Sequence, residues 1–294
     1  MRKAGKTRIF YPEAKLALLG RDLAPELEGI VRCGATRTLI RHRTRTRLRS
    51  RTLTPSLALI RCDWGEAPWL QRYCKPCRPQ LRTAEMRTQR DRTMAVARLA
   101  LDPNDGAHER MLMTIYCTLT GDATWPPRYG AHWEVVGFQG NDPATDLRGA
   151  GMLALLQVLH FQKTAPTLLA AIYRLSRGER DFPFMTVSIT MTQLSLQALR
   201  SGALTRLANR SEAKGGEQVY ETVHAFHHAC YLYMYKAWQQ RGLSIVDFGF
   251  LKKELAQIIH RKPATLMRAL HAHSARAGGA TQSGGKGGSF VEFG

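Results

Sequence analysis

The sequence predicts an all-α protein with three parts. One helical domain spans residues 85–272, a basic, poorly structured region precedes it over 1–84, and a disordered Gly/Ser-rich tail follows over 273–294. Apolar residues recur at three- and four-residue spacing through most of 85–271, the signature of helices with one buried face. Pro and Gly fall mainly where those periodic stretches change phase. The single β-branched patch, Thr186 to Thr190, sits inside a longer periodic apolar face, and that length favours helix over strand.

In chain order, Met86, Met94, Ala95, Ala97 and Leu99 predict a helix over 85–101. The run Asp102-Pro103-Asn104-Asp105-Gly106 breaks it. A second helix over 107–119 carries Met111, Leu112, Ile115 and Tyr116 on one face. After a loop at Thr124-Trp125-Pro126-Pro127-Arg128, Pro143-Ala144-Thr145 reads as a turn with Thr145 as N-cap, and a helix over 146–162 follows. Pro166 suits the first turn of the next helix, which Arg177-Gly178 closes. One long helix is expected over 184–207 and another over 217–240, the latter ended by Gly242. A further helix over 246–260 stops before Pro263, and a short one reaches His271. The composition after His273 predicts disorder.

The charge is uneven. Of the net +20, residues 1–104 carry +14 with 23 Lys/Arg against 9 Asp/Glu. Its centre, 31–61, holds arginines such as Arg41, Arg43, Arg45 and Arg47 and no acid, which favours an anionic surface, nucleic acid or the cytoplasmic leaflet of a membrane, with a disordered solvated tail as the plainer reading. Nucleic acid is not expected as a partner, because 31–61 has no Phe, Tyr or Trp to stack on bases. No apolar run reaches 18 residues, so no transmembrane segment is expected, and residues 1–20 lack the core of a secretory signal. Six irregularly spaced cysteines suit a reducing, cytoplasmic setting, with peripheral membrane contact through the arginines.

Cys74-Lys75-Pro76-Cys77 has half the spacing of a zinc site. No second such pair exists, so no metal is expected. His224, His227 and His228 share a helix face at ligand-capable spacing. Only Glu221 stands near them among aromatic neighbours, which favours packed histidines. Gly5-Lys6-Thr7 and Gly285-Lys286 are incomplete P-loops, so the chain is not expected to bind GTP or any other cofactor itself.

The most informative run is Trp133, then Gly137-Phe138-Gln139, then Pro143, Thr145-Asp146, Arg148, Gly151 and Leu155. Read as the start of a helix, it places Arg148 in the first turn, where a cation costs about 0.3–1 kcal/mol. Trp133 and Phe138 suit the core, Gly137 a tight turn and Gly151 a close helix approach. Gln139 suits either orienting a water or the arginine, or a structural hydrogen bond in its loop. Thr145 and Asp146 would fix the helix start, and with it the reach of Arg148.

This spacing resembles the signature of the ELMO domain, and specifically that of ELMO-domain proteins that activate Arf and Arf-like GTPases. The resemblance covers about 105–262, including Asp181-Phe182-Pro183-Phe184 and the helix around 220–238. It implies an all-α fold and a GTPase-activating protein, not an enzyme with its own substrate turnover. Arg148 would be an arginine finger supplied to a GTPase that carries its own GTP and Mg²⁺. Other members of the family are adaptors for DOCK-type exchange factors on Rac. The resemblance implies that those lack this arginine, so its presence favours the activator.

Overall fold

The computed structural model describes residues 7–21, 23, 79–213 and 216–283. Among these there is no strand, and the helices share one hydrophobic core. The Arg-rich run of 31–61, the Cys74/Cys77 pair and residues 284–294 lie outside the described residues.

The axis of the bundle is the helix Gly151–Thr164, numbered α4 below. Its first eleven residues are all buried. A helix apolar on every side must be enclosed, and α4 is packed by the six helices introduced next. These are α1 (Tyr11–Leu19), α2 (Ala84–Val96), α3 (Gly106–Thr120), α5 (Pro166–Ser176), α6 (Phe184–Ser201) and α8 (Gln218–Arg241). Three further helices, α7 (Thr205–Arg210), α9 (Phe248–Arg261) and α10 (Pro263–Ser283), complete the described chain.

Local signals explain most boundaries. Thr83 caps α2 by accepting from Met86 N, and Asp105 caps α3 by accepting from Ala107 N and His108 N. Gly242 closes α8 in the left-handed region at φ 64°. The 186–190 patch is helical, as expected. The Thr190 hydroxyl bonds back one turn to Thr186 O, and further along the same helix Thr192 bonds to Ser188 O and Ser195 to Met191 O. That satisfies buried polar groups without a strand ladder.

Three expectations need correction. The helix expected over 184–207 is two, because Gly202 at φ 80° ends α6 with Ala203 N bonded to Ala198 O before α7 starts. The last helix does not stop at His271 but runs to Ser283. The basic N-terminal region is not wholly outside the fold, since α1 buries Tyr11, Ala14 and Leu18 in the core, and Ile9 just before it is buried too. Ile9 N donates to Thr114 Oγ1 on α3 at 3.0 Å, and Lys15 pairs with Glu217 at 2.5 Å. A nine-residue helix is below the length that is stable alone in water, so this packing is what holds it.

Candidate functional site

The signature residues form two short 3-10 helices, Ala131–Val136 and Pro143–Gly149, that lead from α3 into α4. Trp133 is fully buried and donates its indole N–H to Arg128 O at 3.0 Å. Tyr116 of α3 and Phe138 meet it edge-on, with ring centroids 5.4 and 6.0 Å away. This aromatic cluster anchors the first 3-10 helix, as expected of both rings.

Gly137 follows at φ 89°. A Cβ there would lie 2.2 Å from Phe184 N, so only glycine fits, on conformation and on space. Its carbonyl accepts from both Thr186 N (3.0 Å) and Thr186 Oγ1 (2.9 Å). It thus satisfies one of the orphan donors at the start of α6 and ties the site to that helix.

The second 3-10 helix is capped by Asp142, not Thr145. Asp142 Oδ1 accepts from Ala144 N at 2.9 Å and pairs with Arg128 at 2.9 Å. Thr145 donates its hydroxyl to Asp142 O at 2.8 Å instead. Pro143 occupies the first turn, where its missing N–H costs nothing. Asp146 Oδ2 accepts from Gln139 N at 2.6 Å and so joins the two halves of the signature. Its partial burial raises its pKa from the ordinary carboxylate value, against the opposing pull of that hydrogen bond. Gln139 takes part through its backbone, and its side chain is exposed.

Gly151, at φ 54°, is the far anchor. A Cβ would sit 2.6 Å from Ala97 O and 2.7 Å from Leu99 O, and Met152 N donates to Leu99 O at 3.0 Å. This close approach is also why no α-helix passes through 146–150. Arg148 therefore lies in the last turn of a 3-10 helix. The dipole penalty expected from a first-turn position does not apply, since a cation near a helix C-terminus is favoured. Arg148 is exposed, and among the described residues it makes no hydrogen bond or ion pair. Asp142 and Asp146, the acids that would have quenched it, are engaged by Arg128 and by Gln139 N.

The histidines form a separate cluster around α4 and α8. His224, His227 and His228 are joined by His160 of α4, and all four are buried. His160 Nδ1 lies 3.3 Å from His228 Nε2, and His160 Nε2 lies 3.2 Å from Glu221 Oε2. His160 stacks on His224 at 4.4 Å between centroids, His228 stacks on Phe161 at 4.1 Å, and Tyr11 of α1 meets His160 edge-on at 4.7 Å. Ser188 Oγ lies 3.3 Å from His227 Nε2. Burial pushes His227 down to about 3 and takes His224 and His228 well below the usual histidine range. The hydrogen bond from His160 lowers Glu221. Among the described residues no group of three or more His, Cys, Asp or Glu has the arrangement of a metal site. The expected packed face is present. The sequence reading missed His160, whose one signal was a lone imidazole in the apolar run Gly151 to Phe161.

The described residues form an all-α bundle that holds an exposed arginine on a short, doubly clamped connection. The chain belongs to the ELMO/CED-12 family, which matches it over residues 92–252, more than half its length. It is 40% identical to ELMO domain-containing protein 3 of Homo sapiens over 194 residues, covering 65% of this chain and 50% of that protein. To ELMO domain-containing protein 2 of Mus musculus it is 30% identical over 104 residues, 35% of this chain and 36% of that protein. To ELMO domain-containing protein 1 of Bos taurus it is 27% identical over 205 residues, 62% of this chain and 61% of that protein. The chain thus spans about half the length of the curated relatives it matches first. No solved structure matches it.

Proposed function

We propose that this chain stimulates GTP hydrolysis on an Arf or Arf-like small GTPase by supplying Arg148 in trans. The observation that carries the reading is an exposed, unpaired guanidinium on a segment fixed at both ends, by Gly137 against α6 and by Gly151 against 97–99. A finger must arrive pre-placed, because binding energy spent on ordering a loop is lost to catalysis. The nucleotide, Mg²⁺ and the water-positioning group belong to the GTPase, and Arg148 adds a planar fork to the charge that develops on the transferring phosphoryl oxygens. Lysine cannot replace it, because a point cation lacks that bidentate geometry. Asp146 and Gln139 act behind it by holding the two 3-10 helices together.

The test is single-turnover GTP hydrolysis by a panel of Arf and Arf-like GTPases, with wild-type chain, Arg148→Lys and Arg148→Ala. One GTPase should be accelerated by the wild type and by neither variant, with a loss of roughly 10³ or more. Equal acceleration by wild type and Arg148→Ala would sink the finger. Binding without acceleration by the wild type would point to the adaptor reading instead.

A further inference from the structure

Two large apolar side chains stand in solvent one helical turn apart where α8 gives way to α9. Val246 is 79% exposed and Phe250 73% exposed, with Ile245 beside them at 45%. They lie on a short 3-10 turn, Ile245–Asp247, and on the first turn of α9. This turn is not loose. Asp247 Oδ2 accepts from both Ser244 N and Ser244 Oγ at 3.0 Å, a capping box that fixes the entry into α9. On its inner face α9 buries Leu251, Leu255 and Ile259. The outer pair is therefore held outward by a well-anchored helix.

The charge around the pair has one sign. Lys252 and Lys253 are exposed and form no ion pair among the described residues, and Lys253 Nζ stands 5.8 Å from the centre of the Phe250 ring. The nearby acids are occupied. Asp247 serves the capping box, and Glu254 is held by a fork from Arg241 at 2.7 and 2.9 Å and by the Tyr233 hydroxyl at 2.5 Å. What remains free is an apolar wedge rimmed by two cations. That pattern suits a lipid surface, with apolar side chains at the acyl boundary and lysines at anionic headgroups. A protein partner matched to this patch would need an apolar pocket ringed by acids, and nothing among the described residues complements it in that way.

We infer that Val246 and Phe250 insert into an anionic bilayer, with Lys252 and Lys253 against its headgroups.

The test is hydrogen–deuterium exchange of the full chain with vesicles of phosphatidylcholine containing one-third phosphatidylserine, and with phosphatidylcholine vesicles alone. Wild type and Val246→Glu/Phe250→Glu are compared, each first checked for an unchanged thermal melt and for mass in solution. Amides of 245–253 should be protected only by the anionic vesicles. The double variant should lose that protection and bind roughly tenfold or more weakly. Protection confined to other segments, or undiminished binding by the folded variant, overturns the inference. So does a wild-type dimer that the variant breaks, since the patch would then be a contact between copies of this chain.

Discussion

The histidine cluster and the Arg148 segment are the two places where this fold concentrates chemistry, and they are built on opposite terms. The cluster brings four imidazoles, a carboxylate and a phenol together, yet its rings stack and bond among themselves in the interior. The segment turns Arg148 to solvent, and Asp142 and Asp146 beside it are tied to Arg128 and to Gln139 N. A density of reactive side chains is therefore a poor guide to function here. What sets Arg148 apart, on the function proposed for it, is that Asp142 and Asp146 have been committed elsewhere.

The comparison breaks most easily with acid. His224, His227 and His228 are held neutral, with folded pKa values below the unfolded value of about 6.5. For a group depressed in this way, the unfolded state binds the proton first. Stability is then fully present above pH ~6.5 and lost as pH falls toward the folded value. For His227 that window runs from about 6.5 to about 3, and it alone removes about 2 kcal/mol by pH 5. His224 and His228 act in the same direction, and Glu221, lowered by His160, adds its own loss at lower pH. Lys15 and Lys163, which also lower Glu221, face the same end of the cluster, and Lys15 disfavours a proton on His224. Urea melts from pH 7.5 to 5 should show a fall in stability of at least the about 2 kcal/mol due to His227. His227→Phe should flatten that slope by about one proton. An unchanged slope would mean that His227 does not titrate as placed.

At the other region the expected result is the reverse. Arg148→Ala should abolish roughly 10³ or more of GTPase stimulation while leaving the unfolding free energy from urea melts within about 0.5 kcal/mol, because the side chain is exposed and unpaired. A variant that loses stability as well as activity would show that Arg148 has a structural partner. Gly137→Ala comes next. It forces a left-handed φ onto alanine and puts a Cβ 2.2 Å from Phe184 N, so about 3 kcal/mol of stability should go, read as a lowered Tm.

Most of the helices were legible in the sequence because periodicity, caps and breakers agree with one another there. Asp105, Pro166 and Gly242 each mark an end that the structure keeps. What was not legible depends on contacts between distant segments. Pro143, Thr145 and Asp146 imitate a helix N-terminus, and only the approach of Gly151 to Ala97 O and Leu99 O breaks the chain into a 3-10 piece and an α-helix. Helix α1 offers three buried positions, Tyr11, Ala14 and Leu18, too few to rise above the charge of the region around it. His160 reaches the cluster from another helix, which spacing along α8 alone does not reveal. The signature residues were legible as a set. The freedom of Arg148 was not, since it depends on what Arg128 and Gln139 do with the acids.

The smallest effect tests that last point. Asp146 holds Gln139 N in the connection between the two 3-10 helices, a side-chain link that stands beside the Arg128–Asp142 pair. Asp146→Ala leaves that N–H without its acceptor, at a cost of about 1–2 kcal/mol in stability, and lets the helix that carries Arg148 drift. GTPase stimulation should fall by about tenfold, far less than for Arg148→Ala, because the guanidinium remains and only its placement suffers. Asp146→Asn keeps an acceptor oxygen and should restore most of both losses. If asparagine fails where aspartate works, the negative charge itself matters, and Asp146 would then be acting on Arg148 rather than on the loop.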